Sequence, residues 1–233
     1  MIPEETKGQQ YPLDLGHRPA LGDDDFLVMP SNQDPVNWLD RWPDWPSHAL
    51  AIHGPAGCGK THLAHVWEAH VKQSGAVVHH VIARQLWAED VAALTKNGTA
   101  VAVEDADAGV DETALLHLFN LLNENGGSLL LTGRRPPSHW SIGLPDLRSR
   151  LSAIPVTEVQ PPDDALLEAL MVKLFHDRQL TVEREVIGYL MRRGERSFDA
   201  VRQLVDRIDR EALAAGRRAT VPFVRSLLDG KGK

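Results

Sequence analysis

The chain has one cysteine, Cys58, among its 233 residues. A lone thiol forms neither an internal disulfide nor a cysteine-based zinc site, so the sequence fits a reducing cytosol. No apolar run approaches the roughly 20 residues needed to span a bilayer. The first ten residues, MIPEETKGQQ, lack the apolar segment of a signal peptide. Membrane and secreted classes are therefore not expected, and a cytoplasmic location is. Basic charge is also short: 25 Lys and Arg stand against 32 Asp and Glu, a formal net charge of −7. That argues against a general DNA-coating protein, whose affinity comes from Lys and Arg neutralising phosphates. Internal repeats and low-complexity tracts are missing too. The 11 histidines are scattered. His62 and His65, or His79 and His80, lack further ligands at zinc-like spacing and read as structural or surface residues.

What is present is a phosphate-loop string, Gly54-Pro55-Ala56-Gly57-Cys58-Gly59-Lys60-Thr61, which satisfies G-x-x-x-x-G-K-[ST]. Residues 48–53 before it are mostly apolar, as a buried strand should be, and residues 62–71, from His62 onward, are helix-compatible. A strand, a glycine turn and a helix N-terminus make an anion site. The three glycines allow a tight turn that directs backbone N–H groups inward. In this motif Lys60 reaches the β and γ phosphates and the Thr61 hydroxyl holds Mg2+, so residues 54–62 are the candidate nucleotide site.

Along the chain, residues 1–25 read as a flexible leader with scattered Gly and Pro and an acidic run at 23–25. Residues 26–45 form a mixed segment leading into the core. Strands are expected at 48–53, 76–82, 99–103 and 128–132, with a fifth at 154–159, alternating with helices; this pattern implies a parallel sheet with crossovers. Residues 111–123 place Leu115, Leu118, Phe119 and Leu122 on one helix face. After Pro161 and Pro162 only helices are expected, at 163–176, 183–193, 198–214 and 221–229. The fold class is thus α/β, a core over 26–160 followed by an all-helical region over 161–233.

The strand at 99–103 ends in Glu104-Asp105, the expected partner of a phosphate loop. One acid orients Mg2+ and its water, and the next positions an attacking water. Which acid serves the metal is open at this level. Arg148 and Arg150 lie in LPDLRSRL, just before the fifth strand. A guanidinium there serves either as an arginine finger acting on phosphates in trans or as a member of a surface ion pair.

Taken together, GPAGCGKTHLAHVWEA, the acid-ended strand, LLLTGRRPPSHWSIGLPDLRSRL and TVPFVRSLL resemble the AAA+ initiator clan and, within it, the Hda family of DnaA-related regulators of replication initiation. The resemblance runs from Phe26 to Leu228. It implies a AAA+ core with a five-stranded parallel sheet and a small helical lid, ADP or ATP with Mg2+ as cofactors, and Arg150 as the finger. It also gives the leader a role. Gln10, Leu13 and Leu15 fit Q-x-x-L-x-L, similar to the peptide by which the family docks on the sliding clamp, the β subunit of DNA polymerase III. Two leucine anchors and an amide on a polar arm suit such a groove.

The implied activity is negative regulation of initiation by stimulating hydrolysis of ATP held by DnaA, with self-association left open. Direct sequence-specific DNA binding is not expected, since the helix-turn-helix domain of DnaA-like initiators has no counterpart in the sequence given. Three positions depart from the family pattern. The sensor 2 arginine falls at Asp199, with Arg196 or Arg202 as substitutes; Arg134 stands where initiators often have Asp; and Glu104 replaces the usual Asp. These departures put efficient self-hydrolysis in doubt. The alternatives are a self-sufficient ATPase resembling a helicase loader and a DnaA-like initiator paralogue.

Overall fold

The computed structural model describes residues 17–18, 26–28, 32–95 and 99–230. Two short strands, β1 (His17–Arg18) and β2 (Phe26–Leu27), pair antiparallel ahead of helix α1 (Gln33–Asp40). The core then alternates: β3 (Ala49–His53), α2 (Lys60–Gln73), β4 (Val78–Ile82), α3 (Val91–Leu94), β5 (Ala100–Glu104), α4 (Glu112–Glu124), β6 (Ser128–Gly133), α5 (Pro145–Ala153) and β7 (Val156–Glu158). Strands β3 to β7 form one parallel sheet in the order β4-β5-β6-β3-β7.

Apolar runs place the inner strands. Ala49 to Ile52, Ala100 to Val103 and Leu129 to Leu131 are all buried, as parallel strands covered on both faces must be. Each fully buried leucine among them contributes about 1.5–3 kcal/mol of transfer free energy. One face of the sheet carries α1 and α2, with Val36, Leu39, Leu63, Trp67 and Val71 in its core. Trp67 is buried there and stacks on Trp45 at 5.7 Å between ring centroids. The other face carries α4 and α5 through Leu115, Leu118, Leu122, Leu147 and Leu151.

The lid is α6 (Asp164–Asp177), α7 (Arg184–Arg193), α8 (Phe198–Ala215) and α9 (Val221–Leu228). It has a hydrophobic cluster of its own, in which Met171, Phe175, Leu190, Val205, Ile208 and Val224 are buried together. Its helices start where the sequence chemistry directs. Asp163 accepts from the Leu166 N–H and Ser197 from the Ala200 N–H, N-cap bonds that satisfy otherwise orphaned donors. Gly216, at φ 59°, closes α8 in the left-handed conformation that glycine adopts without steric cost.

The expected five parallel strands and the helical region are all present, displaced by a residue or two at their ends. Arg148 and Arg150 lie just before the fifth strand, β7, as expected, on a helix, α5, that the sequence pattern does not single out.

Candidate functional site

Strand β6 lies between β3 and β5. The loop after β3 and the acids at the end of β5 therefore face each other across two inter-strand spacings, about 10 Å. The loop turns through Gly57 (φ 69°) and Gly59 (φ 101°), and Gly59 is the residue from which α2 starts. Lys60 is buried, and its Nζ donates to the carbonyls of Gly54 (2.9 Å) and Pro55 (2.8 Å), with Cys58 Sγ 3.8 Å away. The ammonium is thus held over the loop it serves. Cys58 is buried, and burial pushes its thiol pKa up despite the neighbouring ammonium, so it is an inert packing residue.

Beside this loop is a cavity of about 450 Å³, within the range of small-molecule sites. Ala56 to His62 line it, together with Asp105 and Arg134 from the strand ends and Leu166, Leu170, Lys173, Phe198, Asp199 and Arg202 from the lid. Gly54 and Pro55 contribute carbonyls to Lys60 and are not among its described lining residues. The cavity is lined by the cations Lys60, Arg134, Lys173 and Arg202 as well as by Leu63, Leu166, Leu170 and Leu174, which suits a phosphorylated ligand with an apolar part.

The lid rests directly on the loop. The Phe198 N–H donates to Gly57 O at 3.0 Å. A Cβ at Gly57 would come within 2.8 Å of Ser197 Cβ, and one at Gly59 within 3.1 Å of the Phe198 ring. Glycine at these two positions therefore admits the lid as well as the turn. Of the two arginines weighed as substitutes at the lid, Arg202 lines the cavity. Arg196 is 3.4 Å from Asp164 and is not among the described lining residues.

At the end of β5 the two acids have different surroundings. The Thr61 hydroxyl donates to Glu104 Oε2 at 2.5 Å, so the two oxygen donors converge and fit a hard cation such as Mg2+. The bond from His80 and then that from Thr61 hold the Glu104 carboxyl below the usual carboxylate range, against the opposing effect of burial. Asp105 adopts a left-handed φ of 54° and lines the cavity. The backbone strain turns the second acid toward the ligand space.

On α5 the two arginines separate clearly. Arg148 donates from Nε to Ile142 O at 3.1 Å and is engaged with the backbone. Arg150 is 37% exposed, pairs with Asp146 at 3.2 Å and lies over the Phe119 ring. It is not among the described lining residues of the cavity. Gln10, Leu13 and Leu15 lie outside the described residues.

Sequence reading missed one cluster. His65 and Glu68 on α2 meet His80 on β4, and His80 in turn meets Glu104. The i,i+3 spacing of His65 and Glu68 is visible in the sequence; their meeting with His80 depends on how α2 lies over β4.

Comparisons with known proteins agree with this architecture. The chain is similar to domain III of the Thermotoga maritima replication initiation protein DnaA, with 18% identity over 88% of this chain and 94% of that one at a TM-score of 0.75. It is similar to AMPPCP-bound DnaA from Aquifex aeolicus, at 19% identity, 81% and 65% coverage and a TM-score of 0.66. It also resembles a P216G mutant of Thermotoga maritima RuvB, at 17% identity, 91% and 73% coverage and a TM-score of 0.70. At these identities the likeness establishes the AAA+ fold. Residues 163–228 match the family model described as Hda, lid domain. The chain therefore joins a region that matches the Hda lid-domain model to a core with the AAA+ fold seen in DnaA domain III.

Proposed function

We propose that this protein binds ADP or ATP and restrains replication initiation by stimulating hydrolysis of ATP held on DnaA, while tethered to the sliding clamp. Within its own site, the phosphate-loop N–H groups and Lys60 hold the phosphates, and the lid residues close over the rest of the nucleotide. Thr61 and Glu104 would hold Mg2+, which when bound neutralises phosphate charge; Asp105 faces the cavity where a water would be oriented. Arg134 and Arg202 line the same cavity and supply positive charge where the usual sensor residues are absent. The AMPPCP bound to the Aquifex DnaA supports this assignment by analogy of fold.

The observation that carries the reading is the position of Arg150. It is partly exposed on α5 and away from the described lining of its own cavity, as a guanidinium meant for a neighbour's nucleotide must be. Asp146 pairs with it at the surface in the free chain. Such an exposed pair is worth at most about 1 kcal/mol and does not prevent its transfer to a phosphate.

The test is single-turnover hydrolysis of DnaA-bound ATP with clamp and DNA present. Arg150→Ala is expected to lower stimulation by about 10³–10⁵, the worth of an arginine finger in related nucleotide hydrolases. Near-normal stimulation would leave only the surface ion pair. In the same assay, stimulation should depend on clamp loaded on DNA. Changing Gln10, Leu13 and Leu15 together to Ala should abolish binding to immobilised clamp while nucleotide affinity stays unchanged; retained clamp binding would refute the tether.

A further inference from the structure

We propose that His65, Glu68 and His80 form a binding site for a divalent transition metal, with Zn2+ the ion their donors fit best. The site does not depend on the nucleotide reading. His65 and Glu68 are three residues apart on α2 and so share a face. His80 is on β4, the edge strand against which α2 packs. Glu68 Oε2 stands 3.2 Å from His65 Nδ1 and 2.9 Å from His80 Nε2. The three donor atoms all lie within 4.8 Å of one another, and the imidazoles stack at 4.7 Å between centroids.

The details favour ligation over a plain hydrogen-bonded cluster. His80 Nε2 is buried and close to Glu68, yet the alignment of a hydrogen bond is not met there. The opposite nitrogen, Nδ1, faces Glu104 Oε1 at 3.3 Å. One ring nitrogen is thus turned toward the shared centre while the other is oriented by a carboxylate, the pairing that fixes tautomer and ring angle in metal-binding histidines. Two imidazoles and one carboxylate make a three-donor set that leaves a fourth position of a tetrahedron for water. Lys72 Nζ sits 2.5 Å from the other carboxylate oxygen, Glu68 Oε1. Its charge opposes a cation, but its side chain is 60% exposed and is screened and free to swing outward.

The site lies close to the phosphate loop: His80 meets Glu104, and Glu104 meets Thr61. A metal that fixes His80 would also restrict Glu104.

The full-length chain, without a histidine tag and stripped with chelator, should be titrated with Zn2+ by calorimetry and with Co2+ by visible absorption. Excess Mg2+ is present throughout to compete for all-oxygen sites. The expected result is one equivalent bound, with the d–d absorption of four- or five-coordinate Co2+. His80→Ala and Glu68→Gln should each lower affinity by at least about tenfold, and Glu104→Gln, which removes the orienting carboxylate, by about 10- to 100-fold. His65→Ala alters a side chain that is 58% exposed, so it decides the matter if His80→Ala fails to fold. Absence of stoichiometric binding, or binding that survives His65→Ala, overturns the proposal.

Discussion

The sheet of the core and the helices of the lid bury apolar surface in different ways. Strands β3, β5 and β6 are covered on both faces, and nearly every residue of each is inside. Helix α8 buries a single stripe, Val201, Val205, Ile208 and Ala212, and turns most of its charged residues to solvent, with Asp199 and Arg202 facing the cavity. The two regions also keep separate hydrophobic clusters, so the apolar interior of one does not continue into the other. Chemistry follows this division. The core holds Lys60, Thr61, Glu104 and Asp105 on strand ends and a helix start, positions fixed by a rigid sheet. The lid adds side chains from α6 and α8 and meets the loop through Ser197 and Phe198. The core thus sets its polar side chains on a sheet, and the lid, with a hydrophobic cluster of its own, supplies the rest of the cavity wall.

If the two clusters are energetically separate, damage to one should spare the other. Ile208→Ala removes a fully buried side chain from the lid and is expected to cost about 2–5 kcal/mol. Hydrogen exchange should show α6 to α9 losing protection while β3, β5 and β6 keep theirs. A uniform loss across both regions would show that core and lid unfold as one.

The next effect sharpens the contrast from the side of the core. Lys60→Ala removes a charge-assisted contact worth about 1.5–3 kcal/mol, so calorimetry should find ADP affinity lower by about 10- to 100-fold. The circular dichroism of the folded chain should be unchanged. Unaltered affinity would sink the phosphate-loop assignment.

The smallest effect concerns a link within the core. The Glu112 carboxylate accepts from the backbone N–H of Gly143 (2.8 Å) and Leu144 (2.7 Å), tying the start of α4 to the segment before α5. Those bonds, Gly143 first, hold its pKa below the ordinary carboxylate value. A depressed pKa contributes stability that is fully present above the unfolded value, about 4.3, and is lost as pH falls through the folded one. Solvent screening keeps the contribution small. Denaturation midpoints of wild type and Glu112→Gln should differ slightly at neutral pH and converge in acid. A difference that widens toward low pH would contradict this sign.

The same division explains what could be read in advance. Runs such as Ala49 to Ile52 and Leu129 to Leu131 announce covered strands, and the 3- and 4-residue spacing in α8 announces a lid helix. Helix α5 was harder to see: only Leu147 and Leu151 are buried in it, and the remaining positions are mostly charged or small. That Arg202 lines the cavity while Arg196 lies near Asp164 depends on how the lid packs on the core, which the sequence pattern does not show. Ser197 caps α8, leaving Arg196 before the first turn and Arg202 within the helix. Glu104 and Asp105 are adjacent in sequence, and only the backbone shows that Glu104 ends β5 while Asp105 takes a left-handed φ. The meeting of His65, Glu68 and His80 arises from strand placement, which local pattern does not encode.

One contact described above offers a gauge for the lid. The Phe198 amide donates across the boundary to Gly57 O, where it would otherwise be one of the unpaired donors of a helix start. That proton is shielded while α8 sits on the loop, so its protection against exchange reads the equilibrium between this docked contact and arrangements that break it. Comparing that one resonance with amides inside α8 distinguishes loss of the core–lid contact from unfolding of the lid itself.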